Sequence, residues 1–200
     1  MGWDERWLRQ WQHGADVVIA SRKAGACEAA AAQLAAVTGR RALGVGFHAG
    51  RWADAEALAD FAYARLGRCD ILVNNAGMAP LYGRLSKVSE ELFDKVMAVN
   101  YRGPFRLSAL IAERMAAGDG GSIINVSSIA AVQPRPHELA YAGAKAALNK
   151  HDDRDGPGLR AEDPRQRDHG RPVSHRHQRG LGSQCVRVHR DGGDTRPPGR

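Results

Sequence analysis

At 200 residues, with 43% apolar and 26% charged side chains, the chain has the composition of a globular domain, which excludes a fibrous or wholly disordered protein. The formal charge of +7 points only weakly to nucleic acid, because three of those charges (eleven Arg less eight Asp and Glu) fall in residues 151–200 and leave an ordinary +4 on the rest. No run approaches eighteen apolar residues, and the start, MGWDERWLRQWQ, lacks a charged-then-apolar leader pattern, so the reading is a soluble, cytoplasmic protein with no membrane partner.

In chain order, residues 1–12 form an atypical opening segment whose Trp3, Trp7 and Trp11 make an apolar stripe if helical, better suited to packing than to base stacking. Residues 15–22, ADVVIASR, are a β-branched run and predict a buried strand. An Ala-rich helix is expected over Ala24–Val37, closed by Thr38-Gly39, then a strand over Ala42–Phe47. A helix over Ala53–Leu66 ends at Gly67, and Asp70–Asn74 is a third strand stopped by Asn75-Ala76-Gly77. Helical spacing runs through Glu90–Ala117, interrupted near Gly103-Pro104; a fourth strand follows at Ser122–Val126, and a last helix at Glu138–Asn149.

The final quarter differs. Residues 151–200 hold seven apolar side chains and no aromatic, Ile, Met or Lys, against eleven Arg, five His, eight Gly and five Pro. Such a segment cannot bury enough surface to offset its ordering entropy, so residues 150–200 are expected to be a disordered or irregular tail behind a domain of residues 13–149. The tail's eight acids and lack of aromatics argue against nucleic acid as its partner. Cys27, Cys69 and Cys185 are too scattered for a disulfide framework or zinc site, and no metal centre is expected.

Strands alternating with helices imply βαβ units: an α/β, doubly wound parallel sheet with helices on both faces. Ligands bind such sheets beyond the carboxyl ends of the strands. Those ends carry the unusual residues: Ser21-Arg22, His48, Asn74–Gly77 and Ser127-Ser128. Tyr141 and Lys145 lie four apart on the last helix and share a face. A phenol at its ordinary pKa of about 10 is a poor acid–base group at neutral pH, and a neighbouring ammonium favours the phenolate. Taken alone, Tyr-x-x-x-Lys is an ordinary helical pair. His137, four residues earlier, is open between a substrate contact and an exposed loop residue.

The pair does not stand alone. Asn74-Asn75-Ala76-Gly77, Asn100 in VMAVNYRG, Ser128 in GSIINVSS and Tyr141-Ala142-Gly143-Ala144-Lys145, with thirteen residues from Ser128 to Tyr141, resemble the short-chain dehydrogenase/reductase family across residues 13–149. The resemblance implies a Rossmann-type fold and an NAD(P)-dependent oxidoreductase moving hydride between a nicotinamide cofactor and a small alcohol or ketone. It makes Tyr141 the general acid/base and Lys145 the group that binds the nicotinamide ribose and lowers the tyrosine pKa. Ser128 would orient the substrate oxygen, and Asn100 would hold a water of a proton relay. Asn75, Ala76 and Gly77 would line the adenosine and ribose wall, and Ser21 and Arg22 would meet the adenosine ribose. With Arg22 and no acid at that strand end, NADP(H) is favoured over NAD(H). His48 stands where the family often has an Asp touching adenine. Substrate choice would fall to Met78–Arg84 and Ile129–Ala140. Intact relatives commonly form homo-oligomers, tetramers or dimers, through their long helices.

Two family features are missing. The glycine-rich turn, Thr-Gly-x-x-x-Gly-x-Gly, should precede His13–Asp16, and the strand and Pro-Gly segment after the Tyr-Lys helix are not seen. Arg, Gly, Pro, His and Asp without Lys is what GC-rich coding DNA yields out of frame, so the expectation is a family domain frameshifted or truncated at both ends. The competing reading is a catalytically inactive remnant that keeps the fold, with a basic tail binding nucleic acid weakly.

Overall fold

The computed structural model describes residues 15–150, together with two strands at 173–179 and 184–188. The order is β1 (Asp16–Ser21), α1 (Ala24–Thr38), β2 (Ala42–Gly46), α2 (Trp52–Leu66) and β3 (Ile71–Asn74), then α3 (Glu90–Met97) and α4 (Gly103–Ala116). It continues with β4 (Gly121–Ser127), α5 (Leu139–Lys150), β5 (Val173–Arg179) and β6 (Gln184–Val188). The six strands form one sheet in the order β2-β1-β6-β3-β4-β5. β1 and β2, β3 and β4, and β4 and β5 pair in parallel.

Period-two alternation sorts each strand's side chains onto two helix layers. Val17 and Ile19 face α1, where Cys27, Ala30, Ala31 and Leu34 cover them. Val18, Ala20, Leu72 and Ile123 face the opposite way, onto Ala55, Leu58 and Ala62 of α2 and Leu107, Ile111 and Met115 of α4. The alanine-rich helices allow close approach, closest at two glycines. A Cβ on Gly44 would lie 2.2 Å from the Glu28 amide nitrogen, and one on Gly103 would lie 1.7 Å from the Ala49 carbonyl oxygen. Gly39 and Gly67 end α1 and α2 at φ of 65° and 81°, where a side chain would be strained.

At the amino edge, the buried Asp16 carboxylate is bound by Arg41 through its backbone N–H and its guanidinium, and Arg40 lies within ion-pair distance. Burial pushes the Asp16 pKa up, but the Arg41 hydrogen bonds and the two Arg charges outweigh it and hold the carboxyl below its ordinary value.

The long helical stretch is interrupted near Gly103-Pro104, as expected: a wide turn runs over Ala98–Arg102, and Gly103 N–H donates to the Ala98 carbonyl, five residues back. Pro104 sits in the first turn of α4, where a missing N–H costs nothing. One expectation, that for the tail, is corrected. β5 and β6 lie in the sheet, although the composition of 151–200 predicted only irregular chain. Strand pairing needs backbone N–H and C=O groups rather than apolar side chains, and β3 and β4 offer both.

β6 also runs against its neighbours. It pairs antiparallel with β1 through Ile19↔Cys185 and with β3 through Val73↔Cys185. In the doubly wound order 3-2-1-4-5-6 this slot belongs to the first strand, parallel to both neighbours. The segment 1–12 and the rest of the tail lie outside the described residues, as do Trp3, Trp7 and Trp11.

Candidate active site

The carboxyl ends of β3 and β4, the start of α5 and the wide turn before α4 meet at one place. Lys145 is the largest fully buried side chain there, 2% exposed. Its Nζ donates to the Val126 carbonyl of β4 at 2.7 Å and lies 6.0 Å from the centre of the Tyr141 ring. Burial brings its pKa down to about 8. Tyr141, one helical turn earlier, is 6% exposed and packs with Ala130 and Val96. Ser128 begins the short turn that contains Ala130, and its Oγ accepts from the Ala130 N–H at 3.2 Å. A single residue, Ser127, therefore separates the one whose carbonyl anchors Lys145 from the serine, and the serine's own turn packs on the tyrosine.

Asn100, fully buried, sits in the wide turn. Its Oδ1 accepts from Met78 N–H at 3.1 Å, and its Nδ2 donates to the Met78 carbonyl at 2.8 Å and the Val96 carbonyl at 2.9 Å. Both amide protons are used, so the side chain clamps the segment after β3 to the helix and has no donor left.

The cofactor-wall candidates are spread along the same edge. Asn75, Ala76 and Gly77 follow β3, all half-buried. The Asn75 Oδ1 is buried and has no hydrogen-bond partner among the described residues. An orphaned acceptor of this kind costs about 1–3 kcal/mol unless a ligand donor satisfies it, and a sugar hydroxyl has the right chemistry. Arg22 is exposed beyond β1, while the Ser21 hydroxyl lies 3.0 Å from Cys27 Sγ. His48 follows β2 and is held locally. Its N–H donates to Asp54 at 2.9 Å, and its Nδ1 accepts from Gly50 N–H at 3.1 Å. No group of three or more His, Cys, Asp or Glu able to hold a metal is found among the described residues, and none of their helices is long and apolar enough to cross a membrane.

Sequence reasoning overlooked several positioning contacts. Asn74 Nδ2 donates to Ser108 Oγ at 2.8 Å and Asn125 Oδ1 at 2.7 Å, a buried polar triad that ties β3, β4 and α4 just below the site. Ser127 Oγ is bonded to Asn149 of α5. The Ala140 N–H donates to the Tyr82 hydroxyl at 3.2 Å, fixing the first turn of the helix that carries Tyr141. The first of these had a signal in two asparagines at apolar strand ends; Tyr82 had none. A separate groove of about 410 Å³, lined in part by Tyr82, Leu85, Val88, Phe93 and Leu139, lies beyond α5 and includes none of Ser128, Tyr141 or Lys145.

Residues 8–152 match the short chain dehydrogenase family model. The chain belongs to that family. It is 39% identical over 137 residues to dehydrogenase/reductase SDR family member 4 of Bos taurus, covering 68% of this chain and 49% of that protein. It is 50% identical over 95 residues to an uncharacterized oxidoreductase of Thermotoga maritima, covering 48% of this chain and 38% of that protein. The chain thus spans at most about half the length of these relatives. Among solved structures, a metagenomic short-chain oxidoreductase in complex with NADP is similar with a TM-score of 0.71 and 31% identity, over 85% of this chain and 73% of that one. L-sorbose reductase of Gluconobacter frateurii, complexed with NADPH and L-sorbose, gives 0.69 and 29%, over 73% and 55%. The fold is therefore the Rossmann-type α/β fold of the short-chain oxidoreductases, a family acting on small molecules with NADP-bound members.

Proposed function

We propose that the site serves NADP(H)-dependent interconversion of an alcohol and a ketone, with Tyr141 as the proton-transfer group. The observation that carries this reading is the buried Lys145 ammonium. Anchored at Val126 and one turn from Tyr141, it sets a positive charge near the phenol that would give up its proton. Tyr141 gives its hydroxyl proton to a carbonyl oxygen in reduction and takes it back in oxidation. Ser128 holds that oxygen. Lys145 stabilises the phenolate and hydrogen-bonds the ribose. Asn100 acts through position, its amide spent on Met78 and Val96, which holds the segment after β3 against the helix. When bound, the nicotinamide supplies or accepts the hydride.

Asn75 Oδ1 would accept from a ribose hydroxyl, beside Ala76 and Gly77, and Arg22 would pair a 2′-phosphate from its exposed position next to Ser21. His48 Nδ1 is occupied by the Gly50 N–H, which leaves Nε2 as a donor toward a purine. The cytoplasm is the proposed location, and alcohols or ketones selected by 78–84 and 129–140 are the proposed substrates.

A second reading rests on β6. A parallel strand in the central slot would deliver its following turn and helix N-terminus to the carboxyl edge, where a pyrophosphate binds. An antiparallel strand delivers neither. This favours a fold that keeps the catalytic side chains but lacks part of the dinucleotide cradle. Thermal unfolding with and without excess NADPH separates the two. Binding to the folded state raises Tm by mass action, so a rise that Arg22→Ala weakens supports the first reading, and no shift with NADPH or NADH leaves the second.

A further inference from the structure

Tyr141, Lys145 and Asn149 follow one another at intervals of four along α5, so the helix carries them on one face. That face lies on the end of β4 and the turn after it. Tyr141 packs with Ala130, the Lys145 Nζ donates to the Val126 carbonyl at 2.7 Å, and Asn149 Oδ1 accepts from the Ser127 hydroxyl. The two hydrogen bonds reach adjacent residues of β4 from points about 6 Å apart along the helix. A helix held by one such bond can still roll or slide, whereas two bonds at different heights fix both its rotation and its register. Lys145 depends on that register. Its side chain is 2% exposed, and the titratable group beside it is the Tyr141 ring, centred 6.0 Å away.

We propose that Asn149 is a positioning residue for Lys145: its bond to Ser127 fixes α5 against β4, so that the ammonium stays on the Val126 carbonyl, shut off from water and beside Tyr141. The step from position to catalysis rests on the alcohol–ketone reading above. The placement of the ammonium does not, and it can be followed whether or not a dinucleotide binds. Without the bond, the last turns of α5 lift from β4 and water reaches the Nζ. Burial is what lowers the Lys145 pKa, so the group then moves back toward its ordinary 10.5. An Asn149 that only added stability would leave the titration of the folded protein where it was.

The chain has five lysines, and Lys23, Lys87, Lys95 and Lys150 are exposed. Carbon-13 lysine NMR of the folded chain can therefore follow the buried one, identified as the Cε signal that Lys145→Met lacks. In the unaltered protein it should titrate at about 8. Asn149→Ala and Ser127→Ala should each raise that value by about one pH unit or more, and the double variant no further than the singles, because all three remove the same bond. Ser127→Thr keeps the hydroxyl at a strand position that suits a β-branched side chain, and should titrate like the unaltered protein. Folded Ala variants with an unchanged or lowered Lys145 titration overturn the proposal, and so does a shift in only one of them. If Asn149→Ala fails to fold, Ser127→Ala, the loss of a single oxygen from β4, decides alone. Thermal shifts with NADPH on the same proteins test the alcohol–ketone reading separately: no shift there, with a raised Lys145 titration in the Ala variants, removes that reading and still supports the placement of Lys145 by Asn149.

Discussion

Replacing Lys145 by Met removes a buried charge and keeps the side chain's bulk. The ammonium is 2% exposed, and its pKa falls from 10.5 to about 8 on folding. At 1.36 kcal/mol per pKa unit, holding it charged in the fold costs about 3 kcal/mol. The folded pKa is the lower one, so between the two values the unfolded chain binds more protons and stability rises with pH. Below pH 8 both states are charged and the full cost is present; from about pH 8 to 10.5 it is progressively released. Lys145→Met escapes that cost but loses the charged hydrogen bond to the Val126 carbonyl, worth about 1.5–3 kcal/mol. The net expectation is a gain of up to about 1.5 kcal/mol at pH 7, which for a domain of this size is a Tm rise of up to about 3–6 °C. Urea unfolding of both proteins from pH 6.5 to 10.5 is the assay. The difference between them cancels the titration of shared cysteines and tyrosines, and the gain should shrink above pH 8. A less stable Met variant at neutral pH, or a difference independent of pH, would refute the claim that the ammonium is buried at a net cost.

Gly103→Ala drives a Cβ into the Ala49 carbonyl, and Gly44→Ala drives one into the α1 backbone; each should lower stability by at least about 2 kcal/mol in denaturant titrations. Asn100→Ala leaves both polar groups of Met78 without their side-chain partner and should cost about 2–4 kcal/mol, with amide exchange accelerating first at Met78. Burial pushes the Cys69 thiol far up, so in the native state it should resist thiol reagents at pH 8 and react only on unfolding. If the fold turns over, Tyr141→Phe should abolish activity while any thermal shift by NADPH persists, since the phenol acts in proton transfer rather than in holding the fold.

The order of strands and helices up to Lys150 was readable because it depends on local information: β-branched runs bounded by polar residues, Ala-rich stretches, and glycines that permit a left-handed φ at Gly39 and Gly67. The motif around Asn74, Ser128, Tyr141 and Lys145 was readable for the same reason. Spacing within a helix or at a strand end defines which side chains share a face before any packing occurs. What Asn100 does was not readable: by resemblance it would hold a relay water, and only the packed turn shows its amide committed to Met78 and Val96.

The tail shows the limit most plainly. Its composition argues against an apolar core of its own, but composition is silent on whether a neighbouring sheet offers unpaired backbone groups. Side-chain chemistry and periodicity are written along the chain, whereas strand partners, their direction and the depth at which an ammonium is buried depend on residues far apart in sequence. Those were settled only when β1, β3 and β4 came together and left a slot for β6 and a carbonyl for Lys145.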